Sequence, residues 1–212
     1  MIDAKAIADT LNFKQFRLVG QGTLVLDATS NYSGWTFEGE RSQFTVLFMT
    51  DGMGGGPNVD FSIFSNIVLS GFQGGTEYII ARSCMLAQLY NLKIQAENCV
   101  LVDDIHLDEN SPSAGGQRFF DCKASALSAL GPINLYFDST TETVVWFRNF
   151  AGRLKIYNMK SVHSMAFDSH GGGIEAESSC TGGLIRLRGV NIYSDLSGGA
   201  VTWDLEGNIY HP

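Results

Sequence analysis

Apolar residues recur at every second position of this chain in short bursts, and Asn, Asp or Gly breaks each burst before the next. Leu89-Tyr90-Asn91-Leu92-Lys93-Ile94 is answered by Leu101-Val102-Asp103-Asp104-Ile105-His106-Leu107. The phrase returns at Ile63–Leu69, Phe119–Ala124, Ile133–Phe137, Val144–Phe150, Leu154–Met159, Leu184–Ile192 and Val201–Ile209. Alternation with period two puts one set of side chains on one face of a strand. An Asn or Asp between two such strands tolerates the left-handed conformation that a sharp corner needs. The polar centres lie 25 residues apart from Asn66 to Asn91, 17 from Asp104 to Asp121 and 33 from Asn158 to Asn191. So loose a period predicts a β-solenoid whose turns carry loops of different length. Parallel coils stack like on like, so an Asn at one corner can hydrogen-bond to its counterpart on the next coil. A β-sandwich is the competing architecture. It expects hairpins, and no Asn-Gly or Asp-Gly pair here is closely flanked by strands on both sides.

The ends differ from the middle. Ile2, Ala6, Ile7 and Leu11 share one helical face while Asp3, Lys5 and Asp9 lie elsewhere, which predicts a helix over residues 1–12 capping the first coil. Residues 13–60 read as irregular first coils, with strands at Phe16–Leu18, Thr23–Leu26, Trp35–Glu38 and Phe44–Met49 and a glycine-rich loop from Asp51 to Pro57. Residues 61–212 read as regular coils of the same single domain. The loop lacks the Gly-Lys-Ser/Thr that a phosphate cradle requires. The last phrase stops abruptly at Ile209, so a partner is expected to cover that end or the polypeptide to continue.

Composition narrows the function classes. The 212 residues carry a formal net charge of −8 with 14 Lys+Arg, which argues against a surface that tracks nucleic-acid phosphates. No apolar run approaches the ~18 residues a membrane helix needs, and no signal-peptide core follows Lys5. Cys84, Cys99, Cys122 and Cys180 form no C-x-x-C pair and read as small buried hydrophobes. No cofactor or metal site is expected, because His106, His163, His170 and His211 have no mutual ligand spacing.

Few residues invite chemistry. Glu175 and Glu177, at i and i+2 of a strand, face one side together, and with Asp168 and His170 nearby they are the best place for acid–base work or a cation, the plainer reading being an exposed loop rim. Asp103-Asp104 and Asp108-Glu109 are the densest acidic cluster, but strand neighbours point apart, so corner and solvent roles suit them better. His106 reads as a surface strand position, and Arg186 and Arg188 as outward ones. Aromatic residues crowd the first third. Of these Trp35, Phe37 and Phe48, with Met53 of the glycine loop, are the candidates for a subunit contact or a sugar platform.

Two features carry a resemblance: the opening Asp3-Ala4-Lys5-Ala6-Ile7-Ala8-Asp9-Thr10-Leu11, and the Asn-containing rung phrase. The chain resembles the pectate-lyase-like right-handed parallel β-helix superfamily, and looks most like bacteriophage tailspikes and other virion β-helices. The calcium-binding aspartates and catalytic arginine of pectate lyases cannot be placed on any stretch. The resemblance implies an all-β right-handed parallel β-helix with a short N-terminal capping helix. It further implies a non-enzymatic virion protein, a homotrimeric capsid-decoration or tail-fibre/spike component assembled in the host cytoplasm beside other virion proteins. The alternative is a tailspike depolymerase or a glycan-binding adhesin acting on bacterial surface polysaccharide.

Overall fold

A computed structural model describes residues 2–40, 44–48, 56–72, 77–107, 116–125, 131–189, 191–192, 199–206 and 209–210. One short helix, α1 (Ile2–Thr10), precedes a parallel β-solenoid. The first sheet has ten strands, from Gln15–Leu18 through Thr36–Gly39 and Ile63–Ser65 to Thr202–Glu206, each paired in parallel with the next coil. The second runs from Gly22–Leu26 through Phe44–Phe48, Val68–Phe72, Met85–Leu92, Ile105–Leu107, Ile133–Phe137 and Leu154–Tyr157 to Ile174–Ala176. A narrow third face links Val100–Leu101, Lys123–Ala124, Ala151, Gly171–Gly172, Asn191–Ile192 and Ile209–Tyr210. Stacking therefore starts at Gln15, within the stretch whose sequence looks least regular. Among the described residues no helix is long and apolar enough to cross a membrane.

The corner after the first sheet is built as the alternation predicts. Asn66, Ser83, Asn98, Asp121, Asn149 and Ser169 each follow a first-sheet strand and hold φ between +50° and +58°. Asn and Asp reach this region at less cost than other L-residues because their short polar side chains bond locally. Each corner amide then donates to the last strand carbonyl of the following coil: Asn66 to Arg82, Ser83 to Glu97, Asn98 to Phe120, Asp121 to Arg148, Asn149 to Asp168 and Ser169 to Arg188. Side chains add to the ladder, with Asn98 Nδ2 donating to Ser83 Oγ at 3.1 Å and Asn149 Nδ2 to Asp121 Oδ1 at 2.9 Å. Asn158 is also left-handed, at φ 61°. Other polar centres are not corners: Asn91 and Asn191 lie within strands, Asp104 accepts from Asn134 on the next coil, and Asn208 lies outside the described residues.

Inside, like residues stack. Phe37 lies parallel to Phe64 at 5.1 Å between ring centroids, and Phe119, Phe147 and Phe167 follow at 5.0 and 4.6 Å. Offset stacking adds about 0.5–1.5 kcal/mol per pair beyond the burial itself. The residue after each corner turns inward, giving a column of Ile67, Cys84, Cys99, Cys122, Phe150 and His170, all buried. The thiols of this column are free and hydrogen-bond to backbone: Cys84 Sγ to the Phe64 carbonyl at 3.3 Å and Cys99 Sγ to that of Ala81 at 3.4 Å. The adjoining Cys99 sulfur, together with burial, pushes the Cys84 and Cys122 thiols up. Cys180 is buried separately and is also free, as expected of structural thiols.

The capping helix corrects one expectation. Ala8, 6% exposed, is its contact with the core, whereas Ile7 and Leu11 stand 62% and 57% exposed. Lys5 Nζ lies 5.4 Å from the centre of the Trp35 ring and 5.7 Å from that of Tyr32. A small side chain and a cation over two aromatic rings seat the helix, and the Ile7–Leu11 stripe faces outward.

Candidate functional site

In-register parallel coils repeat every ~4.8 Å, so an outward position becomes a row of side chains along the solenoid. On the second sheet such a row joins Tyr90, His106, Tyr136 and Tyr157. Their rings stack at 4.3, 4.3 and 4.6 Å between centroids, with interplanar angles of 29°, 7° and 18°. The rings meet face to face along the axis, so they present edges, phenol hydroxyls and imidazole nitrogens to the outside. Burial comes first among the causes that raise the Tyr136 phenol above its usual range, followed by the Asp104 carboxylate. His106 Nδ1 lies 2.7 Å from Asp138 Oδ2, so the N–H there donates to the carboxylate.

A second row runs alongside, two residues N-terminal on each strand: Asn134, Lys155 and Glu175 in register, with Asp104 accepting from Asn134 Nδ2 at 2.9 Å. Lys155 ties the two rows together at their C-terminal end. Its ammonium pairs with Glu177, lies 3.7 Å from Glu175 Oε1, and sits 6.0 Å from the centre of the Tyr157 ring. The Lys155 hydrogen bond holds the Glu177 carboxyl below the usual carboxylate range, and the same bond raises Lys155.

The three acids singled out from sequence are thus divided. Glu175 and Glu177 do share a face, but a cation stands against both of them. Asp168 belongs to the first sheet, exposed, in register between Arg148 and Arg188. His170 is not beside them either. It is 3% exposed, donates from Nδ1 to the Phe150 carbonyl at 3.0 Å, and packs on Phe150 and Phe167. Burial lowers its pKa to about 4. His163 is likewise interior: Nδ1 accepts from the Lys160 amide, Nε2 faces the Ser139 carbonyl at 3.1 Å, and desolvation lowers its pKa.

The aromatic contact candidates are core residues. Trp35, Phe37 and Phe48 are 2%, 0% and 3% exposed, so their side chains offer no surface to a partner or a sugar. Their alternating positions point inward because the stack starts before residue 60. Met53 lies outside the described residues, as do Asp108 and Glu109. Arg186 and Arg188 do point outward, bonded to Asp204 and Glu206 at 2.8 Å each. Among the described residues no group of three or more His, Cys, Asp or Glu could hold a metal ion.

The sequence carries a local signal for the tyrosines of this row. Leu89-Tyr90-Asn91, Leu135-Tyr136-Phe137 and Ile156-Tyr157-Asn158 each set Tyr beside an inward apolar residue, so each Tyr must point out. Only the register shows that these positions fall in one line with His106. No protein-family model, no curated protein and no solved structure matches the chain.

Proposed function

We propose that this chain is a non-enzymatic β-solenoid component of a bacteriophage particle, a homotrimeric decoration, fibre or spike element. The observation that carries this reading is the way the outer charges pair along the stack. Lys155 neutralises the Glu175–Glu177 pair, and Asp168 stands on a different sheet between two arginines. General acid catalysis needs a carboxyl whose pKa is raised, whereas Glu177 is held low. Rows of mutually satisfied side chains suit a rigid rod, and the likeness of the opening helix and rung phrases to virion β-helices supplies the setting. Light scattering on the purified chain tests it, with a stable species near three times 23.1 kDa as the expected result. A monomer at every concentration refutes the trimer. Release of reducing ends from polysaccharide, abolished by Glu175→Gln with Glu177→Gln, refutes the non-enzymatic assignment.

A second reading is favoured by the row of phenol and imidazole edges. A repeat of hydrogen-bonding groups every ~4.8 Å is suited to an extended polymer of hydroxyls, such as a bacterial surface polysaccharide. Loss of polysaccharide retention with Tyr136→Phe and His106→Ala supports that contact; unchanged retention removes it.

A further inference from the structure

The outer surface of the first sheet carries a ladder with a rung missing. In register along it lie Arg118, Trp146, Ala166, Arg186 and Asp204. Filled neighbours touch: the Arg118 guanidinium lies over the Trp146 ring, 5.8 Å from its centroid, and Arg186 Nε donates to Asp204 Oδ2 at 2.8 Å. Ala166 ends at its Cβ. Trp146 remains 45% exposed although it has a neighbour on each side. With Arg118 on one indole face, the other is turned toward the coil where the side chain is missing.

The dimensions fit one ring. Trp146 and Arg186 are two coils apart, about 9.6 Å at the spacing of parallel strands. One ring per coil is a spacing this molecule already uses, since Tyr90, His106, Tyr136 and Tyr157 stack at 4.3–4.6 Å on the second sheet. A ring seated over Ala166 therefore meets the indole on one side and the guanidinium of Arg186 on the other. Strand geometry places Ser164 and Asp168 on the same face, flanking Ala166 on its own strand, with Arg148 in register beside Asp168. A hydroxyl and a carboxylate thus border an apolar floor, while the Arg148 guanidinium lies over the Phe120 ring of the preceding coil, 4.1 Å from its centroid.

We propose that this missing rung is a binding slot for one pyranose ring of a neutral glycan. The ring's C–H face lies against the indole, and its hydroxyls meet Ser164 and Asp168. The carboxylates are offset by guanidiniums, Asp204 bonded to Arg186 and Asp168 in register between Arg148 and Arg188, so the slot holds no surplus charge to draw in sugar acids or nucleotides and a neutral ring fits it. The slot is on a different sheet from the tyrosine row and rests on neither the virion assignment nor the polysaccharide contact proposed there.

The experiment is a tryptophan-fluorescence titration, paired with saturation-transfer NMR, using neutral hexaoses of glucose, galactose and mannose and, separately, adenosine monophosphate. A saturable response to at least one hexaose is expected. Trp146→Ala should weaken it about tenfold or more, and so should Ala166→Leu, which fills the rung without touching the tryptophan. Val19→Ser, an exposed side chain near the first coil, should leave it unchanged. Both slot variants alter outward side chains, so melting temperatures should stay within about 3 °C of the parent. Should Trp146→Ala unfold the protein, Ala166→Leu still decides. No saturable response to any hexaose overturns the proposal, as does a response that survives Ala166→Leu or a response to the nucleotide alone.

Discussion

His170 should make this solenoid acid-sensitive in a defined window. Its Nδ1 proton is donated to the Phe150 carbonyl, which also accepts the Gly171 amide, while Nε2 is buried with no partner among the described residues. Protonation would place a charge and an unpaired donor among Phe150 and Phe167. Burial accordingly holds the folded pKa at about 4 against an ordinary 6.5. The sign follows from linkage. As pH falls below 6.5 the unfolded chain takes up the proton first, so stability is full above that value, declines down to about 4, and is flat below as far as this group is concerned. A gap of about 2.5 pH units corresponds to roughly 3 kcal/mol. His170→Phe continues the Phe150 column, leaves the Phe150 carbonyl bonded to Gly171, and removes the lone Nε2. The variant should match or exceed the parent by up to about 1 kcal/mol at pH 7.5, and its advantage should grow by roughly 3 kcal/mol on going to pH 4. Urea unfolding of both proteins at several pH values measures this, and NMR titration of the His170 Hε1 resonance reads the pKa directly. Parallel stability curves, or a resonance that titrates near 6.5, would refute the reasoning.

Other perturbations probe the stack itself. Phe147→Ala removes the middle ring of the Phe119–Phe147–Phe167 column and should cost about 3–5 kcal/mol in urea unfolding. Gly172, at φ +144°, brings its Cα so close to the Gly152 carbonyl that an added Cβ would collide with backbone, so Gly172→Ala should destabilise by about 2 kcal/mol or more, measured by thermal melting. Asn149→Ala should cost about 1–2 kcal/mol by losing both the left-handed preference and the bond to Asp121, while Asn149→Gly, which keeps the backbone geometry, should cost less. The buried thiols Cys84, Cys99 and Cys122 should resist an aromatic disulfide reagent in the native protein and react once urea unfolds it; fast reaction of the native protein would contradict their burial.

The alternation of residues was enough to specify strands, corners and a stacked parallel architecture, because the side-chain period of a strand and the left-handed tolerance of Asn are local properties. Asn66, Asp121 and Asn158 could be read as corners on that basis, and the cysteines as buried apolar groups. Residues in which local preference was silent came out otherwise. Ser83 and Ser169 occupy the same corner because neighbouring coils impose it, and Asn91 sits in a strand for the same reason. Trp35, Phe37 and Phe48 looked like a surface because their stretch is irregular in sequence, yet register with Ile63–Ser65 and Val68–Phe72 turns them inward. The helix face reversed its expected orientation, since the rings of Tyr32 and Trp35 offered a seat for Lys5 that no helical periodicity encodes. Above all, function-bearing surfaces in a solenoid are rows across coils separated by 15 to 32 residues of chain, as from Ala81 to Ala96 or from His106 to Asp138. The tyrosine–histidine row, the clamp of Lys155 on Glu175 and Glu177, and the empty rung at Ala166 exist only once loops of unequal length have brought distant strands into register.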